Sequence, residues 1–374
     1  MDDREVEAAG RVVRSGWVTQ GPEVAAFENE LAALVGAQFA CAVSSCTTAL
    51  HLALRACGVD AGDEVILPSY SYIATANAVR YCGALPVFVD IEDGSPNIDP
   101  DLVEQSIGGR TGAILCVHQV GIPARIDDLR DIASRHGLPL VEDAACAIGS
   151  EVMNAAGNWT PIGAPHGDVA CFSFHPRKIL TTGDGGMLTC RDPGLDGRFR
   201  RERQHGMDIP DRQRHQSNRV MDESHTSLGY NYRLTDLQAA IGRVQLTRLP
   251  EILKRRRALA SRYLDLLTRL PVALPKVPAS ARTNWQSFSI GLPDSCDRTS
   301  VMQMMLDRGI STRRGVHCAH KEPAYSHEPW KAGAGGLGNS EKAQARSLVL
   351  PLFHEMTEHE QDRVVDCLEA ALVT

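Results

Sequence analysis

The sequence predicts an α/β fold: a large three-layer domain on a mostly parallel sheet, followed by a smaller C-terminal α+β domain. Between residues 38 and 145, short apolar runs alternate with helical patterns, the mark of parallel strands covered on both faces. Beyond residue 280, strand and helix patterns mix without that alternation. The 374 residues also exceed what one core commonly supports, about 100 to 200 residues per domain. We divide the chain into a major domain with an N-terminal arm, 1–250, and a smaller domain, 251–374.

The strands expected in order are Phe39-Ala40-Cys41-Ala42-Val43, Glu64-Val65-Ile66-Leu67, Pro86-Val87-Phe88-Val89-Asp90, Ala113-Ile114-Leu115-Cys116-Val117 and Leu138-Pro139-Leu140-Val141. Helical patterns fall between them at about 47–57, 73–82, 100–107 and 125–136. The Gly/Pro-rich stretch 151–167 reads as a surface loop, and strands follow at 168–174 and 187–190. Residues 207–226 are polar and almost without apolar periodicity, so they read as either a mobile loop or one that orders on a ligand or a second subunit. Helical patterns then cover 234–270, broken near Leu249-Pro250. Pro271, Pro275 and Pro278 mark a boundary, after which a strand at 287–290 and helices at 299–308 and 356–372 complete the chain.

A formal net charge of -7, from 39 Lys+Arg against 46 Asp+Glu, argues against nucleic acid or anionic membranes as partners, which need a strongly basic face. No window approaches the roughly 18 to 20 uninterrupted apolar residues of a membrane span, and Met1-Asp2-Asp3-Arg4-Glu5 lacks the pattern of a signal peptide. The expected compartment is the cytoplasm. Eleven cysteines are scattered without a C-x-x-C pair, which suggests neither a disulfide framework nor a zinc site, and no metal is expected.

Ligands of open α/β sheets bind at the carboxyl ends of the strands. The first strand runs into Ser44-Ser45-Cys46-Thr47-Thr48, a hydroxyl-rich turn opening a helix, whose free N–H groups and positive dipole end suit a phosphate. Taken alone, these residues are ordinary N-caps. The next strand leads to Ser69-Tyr70-Ser71-Tyr72, the fifth ends in Glu142-Asp143-Ala144-Ala145-Cys146, and a later one leads to Ser173-Phe174-His175-Pro176-Arg177-Lys178. Phosphate turn, aromatic plate, carboxylate and lysine are four parts of a pyridoxal 5'-phosphate site, in which the lysine bonds the cofactor and a carboxylate keeps the pyridine nitrogen protonated. Each part separately has an ordinary structural use; their order and shared sheet edge make the joint reading stronger.

Gly16-Trp17-Val18-Thr19-Gln20-Gly21-Pro22, Ser45-Cys46-Thr47-Thr48-Ala49-Leu50, Glu142-Asp143-Ala144-Ala145, Ser173-Phe174-His175-Pro176-Arg177-Lys178, Thr182-Gly183-Asp184-Gly185-Gly186-Met187, His205-Gly206 and Gly229-Tyr230-Asn231-Tyr232-Arg233 stand in one order along the chain. With them the sequence resembles, over nearly its whole length, the DegT/DnrJ/StrS family of pyridoxal-phosphate-dependent sugar aminotransferases, of the aspartate-aminotransferase fold type. The resemblance implies that Lys178 is the Schiff-base lysine and proton shuttle and Asp143 the partner of the pyridine nitrogen. It implies that Tyr72 stacks on the ring and Ala145 packs on its other face. Ser45, Cys46, Thr47 and Ser173 would hold the phosphate, with Asn231 reaching across from a second subunit, so that a homodimer with shared sites is the functional unit.

Three departures from the family pattern carry expectations. Cys46 stands where the family usually has Gly, so its side chain is expected to crowd the phosphate turn. Cys146 stands where Gln or His usually bonds the cofactor's phenolic oxygen, and a thiol is the weaker donor. His317-Cys318-Ala319-His320 only partly matches the family's small-domain stretch; with His175 and His205, His317 and His320 are the candidate substrate contacts.

The reading is an aminotransferase that takes an amino group from an amino acid, glutamate by resemblance, and passes it to a keto sugar, in first place a nucleotide-linked 4-keto-6-deoxysugar. Lys178 must be neutral to attack, and desolvation beside a cationic cofactor is expected to lower its pKa. An aminocyclitol precursor or another natural-product ketone is the alternative acceptor. A non-catalytic cofactor-binding regulator and a sugar-nucleotide binder are the alternatives from other classes, and the presence of both Lys178 and Asp143 counts against the latter.

Overall fold

The computed structural model describes residues 1–209 and 219–372. Its centre is an eight-stranded sheet, from β1 (Phe39–Val43), β2 (Glu64–Pro68), β3 (Leu85–Val89), β4 (Thr111–Val117) and β5 (Leu140–Asp143), then β8 (Val169–Ser173) and β9 (Gly186–Cys190), closed by the short β13 (Lys331–Ala332). The order is β1-β9-β8-β5-β4-β2-β3-β13, and only β9 runs against its neighbours. This is the mostly parallel sheet expected.

Why the strands are apolar throughout follows from the two-residue period of a strand, which sends neighbours to opposite faces. Ala40, Ala42, Ile66, Ile114, Cys116, Ala170 and Phe172 join one buried cluster. Cys41, Val43, Val65, Leu67, Leu115, Val169 and Cys171 join the other. Onto the first pack α2 (Pro22–Val35), α6 (Ile126–His136) and the start of α8 (Asp236–Leu267); onto the second pack α3 (Cys46–Ala56), α4 (Ile73–Tyr81) and α7 (Pro193–Glu202). Helix, sheet and helix make the three layers.

Several elements differ from the sequence reading. The N-terminal arm is two helices, α1 (Asp3–Ser15) and α2. The start of α2 is capped from far along the chain, since Asp236 accepts from the backbone N–H of Gly21 at 2.7 Å and of Val24 at 3.0 Å. The stretch read as a loop at 151–167 contains a hairpin, β6 (Glu151–Met153) and β7 (Trp159–Pro161). The helix expected to break at Pro250 runs through it. A proline inside a helix costs about 3 kcal/mol, and here Leu246, Leu249, Ile252, Leu259 and Tyr263 bury the helix on both sides of it.

The C-terminal part has its own core, beginning at Leu259 on α8 and gathering Phe288, Ile290, Met305, Leu348, Leu350, Val364 and Leu368 around a three-stranded antiparallel sheet, β11 (Phe288–Gly291), β14 (Ser347–Leu350) and β12 (Arg313–Arg314). This part also sends a segment back: Ala319, Tyr325, Trp330 and Leu337 pack on the large sheet's second cluster, and β13 pairs with β3. The division at residue 250 therefore cuts through one helix, and the packing changes near Leu259 instead. Within the poorly patterned 207–226 segment, residues 210–218 lie outside the described residues; at its ends Met207 pairs with His225.

Candidate active site

The strands deliver their chemistry to one edge. At the end of β1, Ser45 caps α3 by accepting from Thr48 N–H at 3.2 Å. No described residue takes up the N–H groups of Cys46 and Thr47, as befits the first turn of a helix. Strand β9 passes this turn very closely: a Cβ added at Gly186 would stand 2.4 Å from the carbonyl carbon of Ser45 and 2.7 Å from Cys46 N, so only glycine fits there. The expected crowding by Cys46 is not found. Its side chain is buried in the sheet, with Sγ donating to the Cys171 carbonyl at 3.5 Å, and burial keeps its pKa well above the ordinary thiol value.

At the end of β5, Asp143 is buried. Its Oδ1 accepts from Ala145 N–H at 3.1 Å and its Oδ2 from the Thr75 hydroxyl at 2.9 Å. Because Thr75 gives its one proton to Asp143, the contact of 2.7 Å to Ser71 makes Ser71 the donor to Thr75. Burial pushes the Asp143 pKa up, and the Ala145, Thr75 and Lys178 contributions only partly offset it. Its neighbour Glu142 faces the opposite way, accepting from His166 N–H and Gly167 N–H at 2.8 and 2.7 Å and standing 3.0 Å from His118 Nε2. His118 Nδ1 accepts from Ala124 N–H at 3.1 Å, so the imidazole proton sits on Nε2 and points to Glu142.

The lysine lies on a tight loop after β8. Its Nζ is 3.1 Å from Cys146 Sγ. Burial pulls the Lys178 pKa down, but the Cys146 sulfur and Asp143 outweigh it and the net direction is up. The protein's own groups thus favour the ammonium, and the lowering expected beside a cationic cofactor depends on the cofactor's own charge. Ser173, half-buried at the start of the loop, accepts from His175 N–H at 3.4 Å.

Residues absent from the sequence reading hold both partners of this contact. Asn284 donates to the carbonyls of Cys146 and Ile148, each at 2.8 Å. Gln286 accepts from Ile179 N–H at 3.0 Å and donates to the Arg177 carbonyl at 2.6 Å. Between them Trp285 adopts a left-handed φ of 54°, which a non-glycine residue holds only under outside constraint. The constraint is visible: buried Arg256 of α8 binds the Trp285 carbonyl twice, at 2.6 and 2.9 Å, and the Gln286 carbonyl at 2.9 Å. Burial lowers its pKa to about 10. No local signal in Thr283-Asn284-Trp285-Gln286 marks this task.

The remaining expected residues fall into three settings. Tyr72, at the start of α4, is 59% exposed, with the His317 ring edge-on at 6.5 Å; His317 Nδ1 stands 2.7 Å from Glu322 and 2.6 Å from Arg314. Ala145 and Thr47 are half-buried, as is His175, whose pKa burial lowers. Asn231 is exposed, and its side chain has no hydrogen bond within its own chain among the described residues; His205 is exposed with a left-handed φ of 63°. His320 departs from the expectation of a substrate contact. Its side chain is 7% exposed, with Nδ1 2.5 Å from Ser69 Oγ just past β2 and Nε2 3.1 Å from Glu341 of the helix Gly338–Arg346, so both ring nitrogens are committed to structural contacts.

A model of the DegT/DnrJ/EryC1/StrS aminotransferase family matches residues 1–369. The chain belongs to this family. Among solved structures, the aminotransferase TlmJ from Streptoalloteichus hindustanus is 34% identical, over 100% of this chain and 97% of that one, with a TM-score of 0.89. DesV from S. venezuelae is 37% identical, over 99% of this chain and 94% of that one, at a TM-score of 0.87. A family aminotransferase from Brucella abortus is 32% identical, over 98% and 95%, at 0.88. The protein is thus an enzyme, a pyridoxal-phosphate-dependent aminotransferase. Its residues fit the cofactor: the first turn of α3 keeps the N–H groups of Cys46 and Thr47 without a partner among the described residues, which suits a phosphate, and the buried Asp143 carboxylate, costly by itself, suits a cationic ring nitrogen. Among the described residues no helix is long and apolar enough to cross a membrane, and no group of three or more His, Cys, Asp or Glu side chains is placed to hold a metal.

Proposed function

We propose that the enzyme moves an amino group from an amino acid, glutamate by family resemblance, to a keto sugar, in first place a nucleotide-linked 4-keto-6-deoxysugar. The observation that carries the reading is the meeting of Lys178, Cys146 and Asp143 beside the α3 turn that β9 approaches at Gly186, on the sheet edge that ends β1, β5 and β8. When bound, the cofactor supplies an electron sink that stabilises the carbanion left when a proton departs from the donor's α-carbon.

The chain's residues supply the rest. The α3 turn, with Ser45, Cys46 and Thr47, and the Ser173 hydroxyl hold the phosphate through N–H and O–H donors. Asp143 keeps the pyridine nitrogen protonated, and Thr75 and Ala145 fix the carboxylate's two oxygens. Tyr72 covers one face of the ring and Ala145 the other. Lys178 binds the cofactor at rest and, once freed, takes the α-proton and returns it on the far side of the transfer. Cys146 Sγ accepts from the Lys178 ammonium and directs its Nζ. His175 and His317 stand at the sheet edge as substrate contacts.

Homodimerisation with shared sites belongs to the same reading. Its support is the exposed Asn231, whose amide is left for a partner subunit's phosphate. Two experiments test the proposal. Borohydride reduction followed by peptide mass spectrometry is expected to fix the cofactor on Lys178, and an adduct on another lysine would reject the assignment. Single-turnover spectroscopy of the pyridoxamine form against a panel of keto-sugar nucleotides and aminocyclitol ketones names the acceptor, which is expected among the 4-keto-6-deoxysugars.

A further inference from the structure

The Lys178–Cys146 pair has chemistry of its own. An amine and a thiol stand 3.1 Å apart, each on a loop tied down separately, the sulfur's through Asn284 and the amine's through Gln286. Holding two reactants at such a distance replaces a bimolecular encounter by an intramolecular one, which favours reaction between them. Eight of the eleven cysteines are buried, leaving Cys57, Cys146 and Cys296 half-buried. Of these three, only Cys146 has a side-chain nitrogen within hydrogen-bond distance among the described residues.

We propose that Cys146 and Lys178 form a covalent modification site, at which hydrogen peroxide oxidises the thiol and the amine captures the product as a sulfur–nitrogen link. In the first step the sulfur attacks the peroxide, whose O–O bond breaks; one oxygen stays on sulfur as a sulfenic acid and the other leaves as water. A sulfenic acid condenses with a nearby nucleophile. In the second step the lone pair of Lys178 Nζ attacks sulfur, the S–O bond breaks, and the hydroxyl leaves with an amine proton as a second water. One thiol, one amine and one hydrogen peroxide thus give one S–N bond and two waters, with sulfur oxidised and peroxide reduced by two electrons each. The neighbouring charges that hold Lys178 as an ammonium slow the second step at neutral pH, so the link forms faster as pH rises. A thiol reductant reverses it.

The consequence rests on the proposed role of Lys178: the link consumes the amine that carries the cofactor, and bound cofactor shields that amine. The test treats the full chain with hydrogen peroxide, with and without saturating pyridoxal phosphate, and maps peptides by mass spectrometry under non-reducing conditions. Without cofactor, the peptides bearing residues 146 and 178 are expected joined, at a mass lower by two hydrogens, and separated again by dithiothreitol. Cys146→Ser and Lys178→Arg, each checked for folding by circular dichroism, are expected to lose the joined species. A Cys146 that runs on to sulfinic acid with the Lys178 peptide free, or a joined species carrying an extra oxygen, overturns the proposal. Pyridoxal phosphate is expected to suppress the link. Equal linking with and without it would leave the modification site standing and reject Lys178 as the cofactor's lysine.

Discussion

The hydroxyl of Thr75 donates to Asp143 at 2.9 Å across 68 residues of chain, so the first turn of α4 sets the orientation of the carboxylate that ends β5. With the Ala145 N–H on the other oxygen, both carboxylate oxygens are held, and Ser71 behind Thr75 fixes which way the proton points. These donors pull the Asp143 pKa down against the burial that raises it, and burial prevails in the net direction.

Thr75→Val keeps the shape of the side chain and removes the donor. The lost bond to a buried carboxylate costs about 1 to 3 kcal/mol, expected as weaker cofactor affinity. The Asp143 pKa, already raised by burial, moves further up, so the acid limb of the kcat/KM profile shifts to higher pH. Thr75→Ser is expected to restore both. An unshifted profile would mean that Thr75 only packs.

Gln286→Ala removes the two bonds that tie the lysine loop at Ile179 and Arg177 while leaving Lys178 itself in place. A lysine held less firmly lowers kcat, by roughly 10 to 100-fold for a displacement of about 1 Å, with little change in the KM for the donor. Stopped-flow absorbance of the half-reaction with amino donor measures this directly, and a defect confined to KM would place Gln286 in substrate binding instead.

His51 predicts a pH dependence of stability. It is buried, bonded through Nδ1 to the Tyr232 hydroxyl at 3.1 Å, and its Nε2 has no partner among the described residues. Burial, with the nearby charge of Arg55, lowers its pKa from 6.5 to about 4. The unfolded chain therefore takes up a proton in this window that the folded protein refuses, so stability is lost as pH falls from about 6.5 toward about 4, by at most about 3 kcal/mol. His51→Gln removes this component. Urea unfolding at a series of pH values is expected to show the wild type losing ground to the variant across that range and running parallel above it.

Shared sites predict complementation. Asn231→Asp sets a carboxylate against the cofactor's phosphate and Lys178→Ala removes the reacting amine, so each homodimer is expected to be inactive. After co-refolding, half of the dimers are mixed and one site of each is intact, which returns roughly a quarter of wild-type activity. No recovery beside a wild-type control that refolds normally would place Asn231 in its own chain's site or away from the cofactor.

Local periodicity was enough to reveal seven of the eight strands of the large sheet and the helices between them, because each of these strands' residues must be apolar on two faces and that demand is written into consecutive positions. The placement of Lys178, Asp143 and the Ser45–Thr47 turn was legible for a related reason: each follows directly on a strand end, so chain order alone puts them on one edge. Partners distant in sequence were not legible. Thr75 meets Asp143 across 68 residues and Gln286 meets Ile179 across 107, and nothing in their own neighbourhoods requires those contacts. The tertiary structure alone decided that Cys46 turns into the sheet while β9 closes on the turn at Gly186, that His320 is bonded on both nitrogens, and that residues 331–332 return as an edge strand. Each of these depends on which surfaces meet after the helices pack, and burial then selects the hydrogen bonds that polar groups must make there.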